Sequence, residues 1–179
     1  MNGRVLGLAL ACAIAPNWLA AEVVDSAPNG FTVKQTIDIQ APPHDVYAKI
    51  FRVGDWWNPA HTFSHDAHNL SLEEKAGGCF CEKLPGGGAV KHMEVVYFVP
   101  GKTILLRGAM GPFQSMATIT SLQMQLSAAN GGTRLEVTWT SGGYLAAGLN
   151  SLAAVVDGVT KDQFTRLKNA IEKGNPEGK

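Results

Sequence analysis

The chain carries one long helical pattern, and this pattern lies at its C-terminal end. Over residues 150–173 apolar side chains recur every three or four positions, which predicts an amphipathic helix with one buried face. Over residues 31–40 apolar and polar side chains alternate instead, as in a strand with one buried face. The segments between them are short, strand-like and separated by glycines. We therefore expect one sheet wrapped around one long helix.

The strand-like segments predict a meander, in which each strand pairs with the next one along the chain. Turn dipeptides such as Gly77-Gly78 and Asn130-Gly131 separate them. After the first strand, residues 43–51 predict a short helix that begins with proline, and residues 55–68 predict a second short helix or an irregular segment. The fold class is thus α+β, with a seven-stranded antiparallel sheet. The predicted strands are residues 31–40, 69–75, 79–84, 89–99, 102–109, 116–126 and 133–141.

Length and charge are those of a single ordinary domain. A chain of 179 residues can form one core of good size. The 15 Lys and Arg residues balance the 15 Asp and Glu residues, and no basic run is present, so we expect no nucleic-acid partner. The predicted organisation is a signal peptide over residues 1–21, an N-terminal lead over 22–30, the domain over 31–173 and a disordered tail over 174–179.

The N-terminal residues have the pattern of a secretory signal peptide. Arg4 supplies a positive start, residues 5–15 are apolar, and small residues precede Glu22. We expect cleavage after Ala21 and a periplasmic or secreted protein with no stable membrane insertion. An uncleaved anchor helix is the alternative, but Pro16 interrupts the apolar run short of the ~20 residues that a membrane span needs.

Five stretches of this sequence together resemble one superfamily. They are IQAPPHDVY at the end of the first strand, the paired Trp56 and Trp57, GGCF (77–80), TRLEVTW (133–139) and the C-terminal VTKDQFTRLKNAIE. Over residues 31–173 the chain is similar to START-like, or SRPBCC, proteins, which include polyketide cyclases, Bet v 1-like proteins and Hsp90-activator-like domains. The resemblance implies the helix-grip fold and a pocket for an apolar or amphipathic small molecule.

This pocket is expected between the sheet and the C-terminal helix, whose apolar faces must meet there. It should be mostly apolar and within the ~300 to 1,000 Å³ of ordinary ligand sites. We expect a hydrophobic small molecule as partner and no cofactor. The sequence does not indicate an oligomeric state. The candidate ligand-binding residues are Trp56, Trp57, His61, Phe113, Leu122, Met124, Trp139, Leu152 and Val156.

Histidines cluster in the segment that follows the tryptophan pair. His61, His65 and His68 lie beside Asp66, and clustered imidazoles can bind zinc or act as acid and base near neutral pH. Their spacing matches none of the usual metal motifs, so we favour solvated loop histidines.

Two cysteines lie two residues apart in one predicted strand. Counting outward from the following glycine turn places Cys81 opposite His92 and Cys79 opposite Glu94, so that the four side chains share one face. A regular strand holds the cysteines too far apart for a disulfide, and we expect them to be unbridged. Cys79, Cys81 and His92 are then candidate metal ligands or a site with an activated thiol, although we favour a packing role.

The leading function is an exported protein that binds a small molecule. The alternative is an enzyme of the polyketide cyclase or aromatase type, with His61 or His92 as acid or base. No nucleophile elbow, paired carboxylates or zinc-peptidase motif supports catalysis, so the question of an enzyme stays open. A chaperone cofactor like the Hsp90 activators is a third possibility, which the export signal disfavours because that partner is cytosolic.

Overall fold

The computed structural model describes residues 21–179, so the predicted signal peptide, apart from Ala21, lies outside the described residues. None of the helices in the described part is long and apolar enough to cross a membrane. Its regular elements are β1 (Ala21–Ala27), β2 (Gly30–Ile39), α1 (Pro43–Phe51), β3 (Leu70–Leu72), β4 (Cys79–Lys83), β5 (Ala89–Val99), β6 (Thr103–Gly108), β7 (Ala117–Ala129), β8 (Gly132–Tyr144) and α2 (Ala153–Glu172).

The strands form one antiparallel sheet in the order β1-β2-β8-β7-β6-β5-β4-β3. The α+β fold is confirmed, and β3 to β8 form the predicted meander. However, β2 pairs with β8 instead of with β3, and the sheet has eight strands instead of seven. The additional strand is β1, which lies in the segment expected to be an N-terminal lead and pairs with β2. Val23 and Val24 of this edge strand are both exposed. Because neither of its faces is fully buried, β1 shows no alternation of apolar and polar residues.

The inner face of β2 confirms the alternation that predicted this strand. Phe31, Val33, Ile37 and Ile39 are all buried. Burying one such side chain is worth about 1.5–3 kcal/mol, so this face is a large part of the contact between the sheet and α2.

Polar contacts fix α2 over β2 at two points. The side-chain amide of Gln35 donates to the carbonyl oxygen of Asp157 at 2.8 Å. Near the other end, Lys168 Nζ donates to the carbonyl oxygen of Asp38 at 2.6 Å. The helix therefore lies along β2 over most of its length.

The segment after β2 is helical only in part. α1 has the predicted bounds, and its buried side chains are Val46, Tyr47 and Ile50. Residues 55–68 form 3-10 turns and irregular backbone, with turns at Pro59–His61 and Ala67–Asn69. This segment leads the chain from α1 to the sheet edge and passes beside α2.

α2 occupies most of the predicted helix, and a 3-10 turn over Leu149–Leu152 precedes it. Residues 174–179, which were expected to be a disordered tail, fold back along the helix. Arg166 Nη1 donates to Glu177 Oε1 at 2.7 Å, and Asn169 Nδ2 donates to the carbonyl oxygen of Pro176 at 3.4 Å.

Between two consecutive pairs with β4, strand β5 contains one extra residue. Cys81 pairs with Lys91 and Phe80 pairs with Met93, so His92 has no partner on β4. An extra residue of this kind is a β-bulge, and it changes the direction of the side chains that follow. Here it turns two consecutive residues, His92 and Met93, toward the interior.

The neighbouring strand β6 accommodates the bulge. The main-chain N–H of Ala109 donates to the carbonyl oxygen of His92 at 2.8 Å. A Cβ atom on Gly108 would lie only 2.5 Å from the same oxygen. Glycine at this position therefore allows β6 to approach the bulged backbone closely.

Candidate ligand-binding site

A cavity of about 380 Å³ lies between the inner face of the sheet and α2. The sheet contributes side chains from β7 and β8, and the sides are formed by the segment after Trp57 and by the turn over Gly111–Ser115. The lining residues are Trp57, Ala60, His61, Thr62, Phe63, Met110, Gly111, Pro112, Phe113, Leu122, Trp139, Leu152, Val155, Val156, Val159, Thr160, Gln163 and Phe164.

Trp139 and Phe113 form an aromatic part of the cavity wall. Their ring centroids are 6.0 Å apart, and Phe31 packs behind Phe113 at 6.3 Å. The indole N–H of Trp139 donates to Ser141 Oγ at 2.7 Å. Because its one polar atom is already paired, Trp139 presents an apolar surface to the cavity.

Trp57 forms another aromatic part of the wall, and Trp56 packs behind it. The indole N–H of Trp57 donates to the carbonyl oxygen of His61 at 3.2 Å, and its ring meets Phe80 edge-on at 5.5 Å. Trp56 packs between Trp57 and Phe164, with ring centroids at 5.4 and 5.8 Å. Trp56 thus supports the wall without lining the cavity.

Two apolar side chains mark the place where the cavity opens to solvent. Phe63 is 50% exposed and Val155 is 62% exposed, although both line the cavity. His61 lies on the same rim and is also exposed. A ligand would therefore enter between the segment after Trp57 and the first turn of α2.

Few polar side chains line the interior of the cavity. The hydroxyls of Thr62 and Thr160 donate to main-chain carbonyls at 2.8 and 2.7 Å. Gln163 is 1% exposed, and its Oε1 accepts from the main-chain N–H of Asn58 at 2.8 Å. Within residues 21–179, the Nε2 group of Gln163 has no hydrogen-bond partner.

A buried pair of titratable residues, Glu82 and His92, lies next to the cavity. Glu82 Oε2 is 2.9 Å from His92 Nε2, and the two side chains are 0% and 4% exposed. Burial by itself would raise the pKa of Glu82, but hydrogen bonds from Ser64, from the Phe63 backbone and from His92 lower it. Burial lowers the pKa of His92, although Glu82 acts in the opposite direction.

Both lowered pKa values favour an ionised carboxylate on Glu82 and a neutral imidazole on His92 near neutral pH. Since a carboxylate oxygen can only accept, the 2.9 Å contact then assigns the imidazole N–H to Nε2. The lone pair then lies on Nδ1, which is buried and has no donor among the described residues. An imidazole held in this way has the arrangement of a general base.

Phe63 separates this pair from the cavity. Its ring stacks on the ring of His92 with centroids 5.9 Å apart and planes 15° apart, while Phe80 packs on His92 at 5.4 Å. Phe63 also lines the cavity mouth, whereas His92 is not part of the lining.

The predicted arrangement of the cysteines is wrong. Cys79 and Cys81 are joined by a disulfide, and their Cα atoms are 5.3 Å apart, closer than in a regular strand. The predicted pairing of Cys79 with Glu94 is confirmed, but Cys81 lies opposite Lys91 instead of His92. The bulge causes the difference, because it turns His92 to the opposite face of the sheet. Bonded to each other, the two sulfurs are not free thiols, so the proposed ligand cluster does not form.

Most of the ligand-binding residues expected from the sequence lie around the cavity. Met124 does not: it is buried in the core outside the lining, as is Trp56. Of the predicted acid-base residues, His61 lies at the rim and His92 lies behind Phe63. The expected residues that do line it are Trp57, His61, Phe113, Leu122, Trp139, Leu152 and Val156.

The other loop histidines lie away from the cavity. His65 and His68 are exposed, and His68 Nδ1 lies 3.0 Å from Asp66 Oδ1. No group of three or more His, Cys, Asp or Glu residues in the described part of the chain is arranged to hold a metal ion.

Sequence reasoning missed two of the polar residues of this region. Glu82 lies on the buried face of β4, between Phe80 and the turn, where a charged residue at an apolar position is a signal that could have been used. Gln163 interrupts the apolar stripe of α2 in the same way. A polar residue in an otherwise apolar stripe requires a partner or a function.

Comparisons with known proteins identify the fold. No protein-family model matches this chain, and no curated protein matches it either. Among solved structures, the Aha1 dimer from Colwellia psychrerythraea is 20% identical with a TM-score of 0.54, covering 80% of this chain and 97% of that chain. CalU16 from Micromonospora echinospora is 14% identical with a TM-score of 0.59, covering 89% of each chain. DynU16, from the dynemicin biosynthetic locus, is 20% identical with a TM-score of 0.55, covering 81% of this chain and 48% of that one.

This is the START-like, or SRPBCC, fold. At such low identities the likeness concerns the fold alone. The cavity lies between the sheet and the C-terminal helix, where the helix-grip arrangement leaves space. Its chemistry must be worked out from its own residues.

Proposed function

We propose that this protein binds a small apolar or amphipathic molecule in the cavity between the sheet and α2. The observation that carries the proposal is the cavity itself, whose 380 Å³ lies in the range of small-molecule sites. Its wall consists mainly of aromatic and aliphatic side chains, whose burial by a ligand is favourable. The solved START-like structures support a fold able to hold such a molecule.

The test is the binding of a neutral fluorescent probe, N-phenyl-1-naphthylamine. We expect saturable enhancement of its fluorescence by the purified protein. Val156→Trp places a large ring in the cavity and should abolish the enhancement, whereas Val24→Trp on β1 adds the same ring at an exposed site away from it. Equal loss in both variants, or no enhancement with the unaltered protein, would refute the proposal.

We infer further that the protein works outside the cytoplasm, in the periplasm or after secretion. The signal-peptide pattern around Arg4 and residues 5–15 supports this, and so does the disulfide between Cys79 and Cys81, since disulfides persist in oxidising compartments. Mass spectrometry of the protein from an exported fraction should show an N-terminus at or near Glu22. Retention of Met1 in that fraction would contradict cleavage.

A second candidate function is catalysis of the polyketide cyclase type, with a histidine as acid or base. The buried Glu82–His92 pair favours it, because the carboxylate holds the imidazole with Nδ1 unprotonated beside an apolar cavity. His61 is the other candidate base, but it is exposed at the rim. Burial alone weakens this base by lowering the pKa of His92, and Glu82 acts in the opposite direction because its carboxylate stabilises the imidazolium that forms when Nδ1 takes up a proton.

A simple proton-abstraction reaction tests for such a base. In 5-nitrobenzisoxazole, removal of the proton on C3 breaks the N–O bond and releases a coloured cyanonitrophenolate, with the proton on His92 Nδ1. We expect a rate above that of buffer which His92→Gln abolishes, His61→Gln preserves and Phe63→Ala raises. A rate that is unchanged in His92→Gln would exclude this residue as the base.

A further inference from the structure

The buried amide of Gln163 supplies a polar contact that the shape of the cavity alone does not predict. Gln163 lies on the face of α2 that lines the cavity, between the apolar residues Val159 and Phe164. A buried N–H group without an acceptor costs about 1–3 kcal/mol. A residue that carries such a cost beside a ligand-sized space points to an acceptor on the ligand.

The orientation of this amide follows from its neighbour. The main-chain N–H of Asn58 can only donate, so the atom that it contacts at 2.8 Å must be the carbonyl oxygen of Gln163. Asn58 is itself anchored to α2 through its side chain, which donates to Asp162 Oδ2 at 2.8 Å. Nε2 is therefore the atom of this buried amide that has no partner among residues 21–179.

Other side-chain donors in the interior of the cavity are already paired. The indole N–H groups of Trp57 and Trp139 donate to protein oxygens, and so do the hydroxyls of Thr62 and Thr160. Within residues 21–179, this leaves Gln163 as the interior side chain of the lining with an uncommitted N–H.

The charge of the lining restricts the ligand further. None of the described residues around the cavity is a lysine, an arginine, an aspartate or a glutamate. A carboxylate placed beside Gln163 would lose its hydration without gaining a cation, which is strongly unfavourable. A neutral oxygen acceptor avoids this cost.

We propose that Gln163 determines ligand specificity by donating a hydrogen bond from Nε2 to a neutral carbonyl oxygen on an otherwise apolar ligand. The inference rests on the proposed binding function and adds the chemical class of the ligand. Asn58 acts as a positioning residue, because its N–H holds the amide in the donating orientation.

Two probes of the same shape separate this inference from binding in general. 2-Acetylnaphthalene carries a C=O group where 2-isopropenylnaphthalene carries C=CH₂, so their affinities differ chiefly through the oxygen. The unaltered protein should bind the ketone about five-fold more tightly, as one additional hydrogen bond predicts. The Gln163→Met variant should still bind the hydrocarbon, but it should bind the two probes with about equal affinity.

Gln35→Met is the matched control. Gln35 is also a buried glutamine that contacts α2, but it is not part of the cavity lining. The preference for the ketone should survive this substitution. If it survives in Gln163→Met as well, the inference is overturned, whereas binding of neither probe to the unaltered protein would count against the proposed function itself.

An infrared measurement on the unaltered protein covers the case in which Gln163→Met does not fold. The C=O stretch of bound, ¹³C-labelled 2-acetylnaphthalene should lie at lower frequency than in an alkane solvent, because a hydrogen bond weakens the C=O bond. An unshifted band would overturn the inference. Tighter binding of 2-naphthoate than of the ketone would overturn the restriction to a neutral oxygen.

Discussion

Nε2 of His92 lies 2.9 Å from Oε2 of Glu82, and both side chains are buried. The pKa of each group is lower than its ordinary value. A group whose pKa is depressed by folding stabilises the protein above its unfolded pKa, and this contribution is lost as the pH falls. Stability should therefore decrease on acidification, first below pH 6.5 through His92 and then below pH 4.5 through Glu82.

His92→Gln tests the upper part of this pH dependence, because glutamine can still donate to Glu82 but does not titrate. Urea unfolding between pH 7 and 5.5 should show a smaller loss of stability in this variant than in the unaltered protein. The difference in slope is at most about 1.4 kcal/mol per pH unit, which corresponds to one proton. His61→Gln, at the exposed rim, is the control. Equal slopes in the unaltered protein and in His92→Gln would contradict the assignment.

Removing the disulfide should lower stability by only a modest amount. Cys79 and Cys81 are two positions apart, so their bond closes a very short loop and contributes about 1–2 kcal/mol by restricting the unfolded chain. We expect this decrease in the free energy of unfolding for the unaltered protein in reductant. The double variant Cys79→Ser/Cys81→Ser should match the reduced protein and be insensitive to reductant. Identical stability with and without reductant in the unaltered protein would show that the bond contributes nothing.

Two glycines should respond in opposite ways to substitution by alanine. Gly158 lies in α2, is exposed, and has no atom within 4 Å of the position that a Cβ would take, so Gly158→Ala should stabilise by about 0.5–1 kcal/mol. Gly143 in β8 has a φ of +142°, and a Cβ there would overlap the carbonyl oxygen of Ala117. Gly143→Ala should destabilise by roughly 1–3 kcal/mol. Urea unfolding of both variants measures this, and a stabilising Gly143→Ala would disprove the close approach of β7 to β8.

Deletion of His92 should leave the fold intact. Without this residue the pairs of Cys81 with Lys91 and of Phe80 with Met93 become consecutive, as in a regular hairpin. We expect an unchanged far-ultraviolet circular dichroism spectrum, together with loss of the pH dependence described for His92. The protein should also be less stable, because Glu82 loses its buried partner. Failure of the deletion variant to fold, with His92→Gln folded, would show that the bulged backbone itself is essential.

The fold could be predicted from the sequence because it depends on patterns that repeat. The alternation in β2 and the apolar stripe of α2 each involve many residues, and both were confirmed. The bulge at His92 could not be predicted, since counting outward from a turn assumes that both strands advance together. One extra residue in β5 turns the side chain of His92 away from the cysteines and toward Glu82.

The apolar part of the candidate site could be predicted in the same way, but its polar part could not. Large apolar residues on the inner faces, such as Leu122 and Val156, line the cavity because the period of each element turns them inward. Glu82 and Gln163 are single polar residues within apolar patterns, and neither pattern says what they contact. Their roles depend on Ser64 and Asn58, which belong to an irregular segment whose path no periodicity describes.

The bulge in β5 also bears on how this chain should be aligned with others of the same fold. A protein that lacks the one extra residue could match every paired position of β4 and β5, and the alignment would show only a gap of one. That gap would nevertheless remove the imidazole that faces Glu82. The length of one strand therefore decides whether a histidine faces Glu82, and a comparison that treats single gaps as neutral will not detect the loss of this buried pair.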